Sequence, residues 1–315
     1  MTRVAAVDCG TNSVRLLVAD VTGSHKADVH REMRVVRLGE GVDRTGVLAP
    51  QALERTRAAL VDYAATCRDL GVEAVRLVAT SATRDAANRD VFTALVRQVL
   101  GVDPEVASGA EEASLSFDGA TRGLEPALGP FLVVDIGGGS TEFVLGSDAV
   151  SAALSVDVGC VRLTERHLAG DPPTVAEVAA ARADVEAALD RVLEAVPATT
   201  ARTTLGLAGS VTTVAALALG LRAYDPAAIH LSRLTAAQVR EVTERLLAMT
   251  RTERAELPVM HPGRVDVIGA GALVLLVAVE RLGLTEVLVS EADILDGIAW
   301  SVSRPGAARP GPAIS

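Results

Sequence analysis

Apolar residues in this chain occur in two kinds of segment that follow each other in turn. Some are short continuous runs, and others are longer stretches in which apolar residues recur at helical spacing. Residues 4–7 and 14–21 are runs rich in valine, leucine and alanine around the turn CGTNS, which predicts two strands. Residues 53–70 place apolar side chains at helical spacing, after Pro50 and before Gly71, which predicts a helix. The same alternation continues along the chain and is typical of an α/β fold.

Later segments repeat these two patterns. Strands are predicted at residues 72–79, 131–135, 143–146, 203–207 and 287–289, with a short strand ending at residue 106. Helices are predicted at residues 85–100, 175–196, 211–219, 236–249, 265–282 and 294–302, with another from residue 111. The uncharged run at residues 203–221 is long enough to span a bilayer, but its glycines and hydroxyl side chains favour a strand, a turn and a buried helix.

Two stretches of the chain resemble each other. VAAVDCGTNSVRLLVA and LVVDIGGGSTEFVLG each contain a buried strand, Asp-x-Gly, small residues ending in serine, and a second strand. The interval between them is too long for a solenoid, so we expect two copies of one α/β domain with a ligand cleft between them. The alignment places Asp8 on Asp135, Gly10 on Gly137 and Ser13 on Ser140.

Composition narrows the functional class. The chain has 315 residues, enough for two domains, and a formal net charge of −10. Because there is no basic excess to displace counterions, we expect neither nucleic acid nor a membrane surface as a partner. The three cysteines form no CxxC pair, and the N-terminus is not typical of a signal peptide. These features predict a cytoplasmic protein without a disulfide framework or a zinc site.

The stretch VVDIGGGSTEF, residues 133–143, has more glycine than a turn requires. A hairpin needs one or two glycines, whereas three in a row let the backbone approach a ligand and direct successive N–H groups at an anion. Ser140 and Thr141 add hydroxyl donors, so phosphate is the expected ligand, with a glycine-rich hairpin tip as the alternative. The loop lacks the lysine of a Walker A motif. Asp135 and Glu142 flank it instead, which is typical of a site that binds a divalent cation.

The stretch SGAEEASLSF contains two adjacent glutamates with different expectations. Ser108 and Glu111 have the spacing of a capping box, so Glu111 has a structural role. Glu112 is not used by that cap, but an acidic residue in a first helical turn is ordinary because the helix dipole favours it. Composition alone therefore favours a structural role for Glu112.

Two other strand ends carry hydroxyl side chains and have two interpretations each. In ATSATRDAAN, several hydroxyls and Arg84 follow a strand, which indicates either an anion site or an ordinary helix cap. LAGSVTT, with Gly209 and Ser210, has the same two interpretations. The histidines show neither metal-ligand spacing nor the pattern of a hydrolase triad; they are His25, His30, His167, His230 and His261.

Seven motifs in order resemble those of the exopolyphosphatase and guanosine pentaphosphate phosphohydrolase (Ppx/GppA) family. They are DCGTNSVRLLVAD, ATSATRDAAN, SGAEEASLSFDGA, VVDIGGGSTEFVLG, SVDVGCVRLTERHL, AGSVTT and GRVDVIGAGALVL, and the resemblance spans about residues 4–297. It implies an actin-like ATPase fold of two ribonuclease-H-like domains with the active site between them. Domain I is expected at residues 1–124 with a helix at about 291–304, domain II at 125–290, and a disordered tail at 305–315.

The resemblance also implies an activity and roles for residues of this chain. The activity is Mg²⁺-dependent removal of the terminal phosphate from inorganic polyphosphate, and the catalytic base of the family's S-G-x-E-E-A motif falls on Glu112. The catalytic set is then Glu112, Glu142 and Arg84, and the metal ligands are Asp135, Glu142 and Asp8. The expected phosphate-binding residues are Thr11, Asn12, Ser13, Arg15, Gly137, Gly138, Gly139, Ser140, Thr141, Gly209 and Ser210.

The chain departs from the family pattern near its end. Longer members carry further C-terminal domains that help to hold long polyphosphate, whereas this chain stops after two domains, so we expect a preference for short chains. In VSEADILDGI, Asp293 and Asp296 stand where many members of the family have a glycine and a helix with arginine and glutamate. Two acidic residues there would disfavour a track for a polyanion, which again predicts short substrates.

Alternative functions stay open. Hydrolysis of the 5′ γ-phosphate of pppGpp uses the same chemistry, and pppGpp or ppGpp is then a partner. A sugar or acetate-type kinase is disfavoured by the intact S-G-x-E-E-A motif. A non-catalytic sensor of polyphosphate or an alarmone predicts binding without phosphate release. Whether the protein forms a homodimer is left undecided by the sequence.

Overall fold

The computed structural model describes residues 2–23 and 25–302 and divides into two compact units. Unit 1 comprises Met1–Gly119 and Ile294–Ser315, and unit 2 comprises Ala120–Asp293. The tail predicted at residues 305–315 lies outside the described residues.

In unit 1 a mixed sheet is flanked by helices. Its strands are β1 (Thr2–Cys9), β2 (Ser13–Thr22), β3 (His25–Val35), β4 (Ala74–Ala79) and β5 (Glu105–Val106). Its helices are α1 (Val42–Thr45), α2 (Pro50–Asp69), α3 (Ser81–Asp85), α4 (Arg89–Leu100), α5 (Gly109–Thr121), whose last turn crosses into unit 2, and α13 (Ile294–Val302). The strand order is β3-β2-β1-β4-β5, in which β1, β2 and β3 are antiparallel and β4 and β5 run parallel to β1.

Unit 2 has a second mixed sheet. Its strands are β6 (Phe131–Ile136), β7 (Thr141–Gly146), β8 (Val150–Val156), β9 (Thr203–Leu207), β10 (Arg233–Thr235) and β11 (Glu286–Val289). Its helices are α6 (Cys160–His167), α7 (Val175–Ala195), α8 (Ala208–Ala218), α9 (Pro226–Ile229), α10 (Ala236–Ala248), α11 (Arg251–Ala255) and α12 (Ile268–Arg281). Short 3-10 turns lie at Pro126–Leu128, Ala198–Thr200 and Pro262–Arg264. The strand order is β10-β11-β9-β6-β7-β8.

Both sheets have the same core topology. An antiparallel meander of three strands is followed by strands that add in parallel to the first strand of the meander, β4 to β1 in unit 1 and β9 to β6 in unit 2. The loops that correspond also close alike, since Gly10 N donates to Ser13 O at 2.9 Å and Gly137 N to Ser140 O at 3.0 Å. The predicted α/β class with two ribonuclease-H-like units is therefore confirmed, as is the internal repeat.

The predicted interior strands and long helices are present, whereas three strands were missed. These three, β3, β8 and β10, lie at sheet edges and carry many exposed residues, so they lack an apolar run. In contrast, residues 268–279 of α12 are all buried, which makes α12 a central helix of unit 2.

The uncharged run at residues 203–221 forms β9 and α8, as predicted. Within the described residues, no helix combines the length and the apolar character needed to cross a membrane.

Candidate active site

In unit 1 the predicted site residues follow the carboxyl ends of adjacent parallel strands. The loop at residues 10–12 follows β1, residues 80–84 follow β4, and the start of α5 follows β5. Cys9 pairs with Ala79 in the parallel register, so the first two segments leave the sheet side by side. The carboxyl edge of a parallel sheet is a common ligand site because the connecting loops converge there.

Glu112 and Arg84 are in direct contact. Arg84 Nη1 donates to Glu112 Oε2 at 3.0 Å and to the carbonyl of Ala107 at 3.0 Å. Glu112 is buried, with 7% of its surface exposed, so its carboxylate is held in one place by a partly buried guanidinium. The structure thus brings together the predicted base and the predicted arginine.

The adjacent Glu111 has the structural role expected of it. Ser108 N donates to Glu111 Oε2 at 2.8 Å, and Glu111 N donates to Ser108 Oγ at 3.3 Å. This reciprocal pair is a capping box, and the hydrogen bonds that the N–H and hydroxyl groups of Ser108 donate to the carboxylate lower the pKa of Glu111. The Glu112 side chain takes no part in this cap.

The first loop contacts the strand end that follows β4. The Oγ1 atom of Thr11 and the Oγ atom of Ser81 are hydrogen-bonded at 2.9 Å, and both residues are buried. Thr80 is the N-cap of α3 and makes no side-chain cap, so the hydroxyls of residues 80–83 do not serve as an ordinary helix cap. Among the described residues, Thr83 Oγ1 is buried without a hydrogen-bond partner.

Asp8 and Arg15 face each other across β1 and β2. Arg15 Nε and Nη2 both donate to Asp8 Oδ2, at 2.9 and 2.7 Å. The predicted metal ligand and the predicted phosphate-binding arginine are therefore engaged with each other within unit 1.

In unit 2 the equivalent positions carry two acidic residues. Asp135 and Glu142 are direct partners in the antiparallel register of β6 and β7, so their side chains project from the same face of the sheet. Both are buried, and Ser155 Oγ donates to Glu142 Oε1 at 2.7 Å. Where unit 1 places an arginine opposite the aspartate, unit 2 places a second carboxylate.

This carboxylate pair fits a divalent cation. Like charges opposite each other on one face destabilise a sheet, and a bound cation would offset that repulsion. Mg²⁺ is usually held by one or two carboxylates with water and phosphate oxygens, rather than by a full protein cage. No cluster of three or more His, Cys, Asp or Glu residues suited to a metal occurs in the described part of the chain.

The glycine-rich loop at residues 137–140 has donors directed at no protein atom. Within the described residues, the N–H groups of Gly138 and Gly139 have no protein acceptor, and Ser140 Oγ is buried without a hydrogen-bond partner. Thr141 differs, because its Oγ1 atom donates to the carbonyl of Val158 at 2.6 Å and the residue is fully buried. Its hydroxyl therefore serves the fold, which leaves only its backbone for a phosphate.

The first turn of α8, which contains Gly209 and Ser210, contacts an arginine that the sequence analysis did not identify. Arg264 Nη1 donates to Gly209 O at 3.1 Å and to Thr213 Oγ1 at 3.3 Å. A Cβ on Gly209 would overlap the Arg264 guanidinium, so glycine at this position permits the close approach seen here. Leu207 is the N-cap of α8 and makes no side-chain cap, so Ser210 does not cap this helix.

Cys160 lies beside this turn of α8. Burial raises the pKa of the Cys160 thiol, against the opposing effects of a hydrogen bond with Ser210 and the charge of Arg264. The thiol is therefore neutral near pH 7. Cys160 and Arg264 lie in the family motifs SVDVGCVRLTERHL and GRVDVIGAGALVL, so their position in these motifs is the sequence feature that could have identified them.

Asp296 takes part in ion pairs within unit 1, which the sequence did not indicate. Arg31 Nη2 lies 2.7 Å and Lys26 Nζ 3.0 Å from Asp296 Oδ1, and the aspartate is buried. Two cations, which also pair with Asp28, offset its charge, so Asp296 alone is weak support for a preference for short substrates. The sequence missed this contact because both cations lie on β3, far away along the chain.

The chain matches proteins of one family along nearly its whole length. The sequence pattern of the Ppx/GppA phosphatase family matches residues 17–303. Exopolyphosphatase 2 of Mycobacterium tuberculosis (strain ATCC 25618 / H37Rv) is 56% identical over 317 residues, which cover 96% of this chain and 99% of that protein. Guanosine-5′-triphosphate,3′-diphosphate pyrophosphatase of Vibrio atlanticus is 28% identical over 299 residues, which cover 95% of this chain and 59% of that protein.

Solved structures agree with these matches. The crystal structure of an exopolyphosphatase-like protein has a TM-score of 0.91 and 42% identity, covering 95% of this chain and 98% of that one. The Ppx/GppA family member from Aquifex aeolicus has a TM-score of 0.80 and 32% identity, covering 95% of this chain and 96% of that one. The fold and these matches define a phosphate-releasing hydrolase. The chain belongs to the Ppx/GppA phosphatase family, which confirms the family predicted from the motifs.

Proposed function

We propose that this protein is an exopolyphosphatase that releases terminal orthophosphate from inorganic polyphosphate. The observation that carries the proposal is the buried Glu112 carboxylate, which the helix cap does not use and which Arg84 holds through Oε2. The 56% identity to a protein named Exopolyphosphatase 2 supports polyphosphate as the substrate. The three cysteines of the present protein are buried and form no disulfide within the described residues, which supports a cytoplasmic location.

Glu112 is the general base in this proposal. It accepts a proton from a water whose oxygen attacks the terminal phosphorus, the bond from that phosphorus to the bridging oxygen breaks, and the shortened polyphosphate leaves with the electron pair. Arg84 holds the carboxylate in position and offsets charge that develops on the transferred phosphoryl group. The N–H groups of Gly138 and Gly139, with Ser140 Oγ, donate to phosphate oxygens.

Asp135 and Glu142 would hold Mg²⁺ in this proposal, since they are buried cross-strand partners on one face of the sheet. When bound, the ion supplies positive charge that stabilises the phosphate oxygens. Asp8 is a further candidate ligand, and Arg15 donates two hydrogen bonds to its Oδ2 atom.

Short polyphosphate chains are the proposed preferred substrate. The net charge of −10 supports this, because a long polyanion is repelled more strongly than a short one. Hydrolysis of pppGpp is the second candidate function, since several relatives of 28% identity are named guanosine-5′-triphosphate,3′-diphosphate pyrophosphatase.

Phosphate release from tripolyphosphate, long polyphosphate, pppGpp and ATP, measured in parallel with Mg²⁺, tests the proposal. We expect release from tripolyphosphate by the wild type and its loss in Glu112→Ala. Release from pppGpp alone would instead select the second candidate. Tight binding of polyphosphate with no release from any substrate would identify a sensor and overturn the enzymatic proposal.

A further inference from the structure

The two loops that correspond in the internal repeat, residues 10–12 and 137–140, accept hydrogen bonds through their carbonyls from the segment that follows the third strand of their own sheet. In unit 1, after β3, Val36 N and Arg37 N donate to Asn12 O at 3.0 and 2.8 Å, and Gly39 N donates to Thr11 O at 2.8 Å. The contacts tie the loop at residues 10–12 to residues 36–39.

Unit 2 repeats this arrangement after β8. Cys160 N donates to Gly137 O at 3.0 Å, and Val161 N and Arg162 N donate to Gly138 O at 2.9 and 3.1 Å. Carbonyl groups of the glycine-rich loop therefore accept the hydrogen bonds of the first N–H groups of α6. We call residues 36–39 and 159–162 the two clamp segments.

These bonds determine the direction of the loop N–H groups. In a trans peptide the C=O of one residue and the N–H of the next point in opposite directions. Because Gly137 O and Gly138 O point to a clamp segment, the N–H groups of Gly138 and Gly139 point away from it. In unit 1 the same geometry turns the N–H groups of Asn12 and Ser13 away from residues 36–39.

Each clamp segment contains a glycine that permits the close approach. A Cβ on Gly159 would lie 2.5 Å from Gly138 O and 2.6 Å from Gly138 C, so it would displace the loop backbone. A Cβ on Gly39 would overlap Thr11 Cγ2 and lie 3.1 Å from Ala82 Cβ. Gly159 has φ −155° and ψ 167°, a conformation open to any residue, so contact rather than torsion requires glycine.

We infer that Gly39 and Gly159 are positioning residues that allow each clamp segment to direct the N–H groups of its own loop at phosphate oxygens. This inference rests on the proposed function, and it goes beyond the phosphate-binding residues themselves because neither glycine needs to touch substrate. The two glycines act through different atoms: Gly159 against loop backbone, and Gly39 against one methyl group of Thr11.

Full-length Gly39→Ala and Gly159→Ala variants test the inference. Gly123→Ala is the matched control, since a Cβ there meets nothing within 4 Å and the residue has no positive φ. We expect kcat/KM for tripolyphosphate to fall on the order of 10²-fold in both test variants, because small misplacements of binding groups are costly, and to stay unchanged in the control.

A rescue experiment separates positioning from general damage. Thr11→Ser removes Cγ2, the atom that a Cβ on Gly39 would overlap, and keeps the hydroxyl that bonds Ser81. We expect Thr11→Ser to restore most of the kcat/KM lost in Gly39→Ala and none of that lost in Gly159→Ala. Equal rescue of both variants, or no rescue of either, would overturn the inference, as would full activity of both single variants.

Binding of inorganic pyrophosphate, measured by calorimetry, keeps this test separate from the test of function. We expect weaker binding in both test variants than in Gly123→Ala. If the wild type binds pyrophosphate but releases no phosphate from tripolyphosphate, the proposed function is contradicted. The affinities of the two test variants for pyrophosphate, relative to that of Gly123→Ala, still decide the inference. If Gly159→Ala does not fold, Gly39→Ala and its rescue decide it.

Discussion

At the scale of single residues, two adjacent glutamates have opposite roles. Glu111 closes the cap of α5, while Glu112 is buried against Arg84. Neighbouring positions on a helix point in different directions, so one sequence motif can hold the helix cap through Glu111 and present Glu112 for the chemistry proposed above.

Replacing Glu112 by glutamine is expected to lower kcat for tripolyphosphate by about 10²–10⁴-fold, because glutamine cannot accept the proton. Phosphate release under saturating substrate measures the effect. Glu111→Ala is the control, and it should lower stability by about 1 kcal/mol through loss of the cap while kcat is kept. Comparable activity of Glu112→Gln and wild type would refute the assignment.

The Asp135–Glu142 pair predicts a dependence of stability on Mg²⁺. We expect Asp135→Asn to raise the melting temperature of the metal-free protein, since it removes like-charge repulsion across β6 and β7. The same variant should lose most of the stabilisation that Mg²⁺ confers on the wild type. Thermal denaturation with and without Mg²⁺ measures both effects, and an undiminished Mg²⁺ shift would argue against this site.

At the scale of elements, caps define where helices begin. Thr174 and Glu177 form a capping box at α7, and equivalent boxes start α10 and α11. We expect Thr174→Ala to lower the free energy of unfolding by about 1 kcal/mol, because an N–H group of α7 loses its acceptor. Urea denaturation measures the change. Thr93→Ala, inside α4, is the control and should leave stability equal or slightly higher.

The turn before α12 carries a pH-sensitive cap. His261 Nδ1 accepts a hydrogen bond from Gly263 N at 3.1 Å, and burial together with the charge of Arg264 lowers the pKa of His261. The folded state therefore favours the neutral ring, so stability falls as pH drops below the unfolded value of about 6.5.

His261→Asn tests this dependence, since asparagine can accept the same bond and does not titrate. We expect the wild type to lose more stability than the variant between about pH 7.5 and pH 5.5, a range above the titration of most carboxylates. Urea unfolding at both pH values measures the difference. Parallel pH profiles for the two proteins would show that His261 does not contribute.

At the scale of the whole molecule, we expect net charge to affect the choice of substrate. With a charge of −10, the protein is expected to show a higher kcat/KM for tripolyphosphate than for polyphosphate hundreds of units long. Added salt should narrow this difference, because it screens repulsion between the chain and a long polyanion. Kinetics at low and high ionic strength measure it, and a constant ratio would exclude electrostatics as the cause.

Much of the fold could be predicted because interior elements carry a strong pattern. The strand at β9 and the helix at α12 bury most of their side chains, so composition alone marks them. Edge strands were missed because solvent reaches them. Polar side chains of β3 are held by ion pairs with residues distant in sequence, as Arg31 is by Asp296.

The candidate site divides in the same way. The residue types in the glycine-rich loop, the paired acids and the S-G-x-E-E-A motif were determined by sequence, because their chemistry is local to short stretches. Only tertiary structure decided which groups meet: Arg84 with Glu112, Asp8 with Arg15, and Gly159 with the loop. Arg84 meets Glu112 because the parallel strands β4 and β5 end at the same edge of their sheet, whereas the other two contacts depend on the antiparallel pairing of β1 with β2 and of β6, β7 and β8. Strand register is a property of the folded sheet rather than of any single segment.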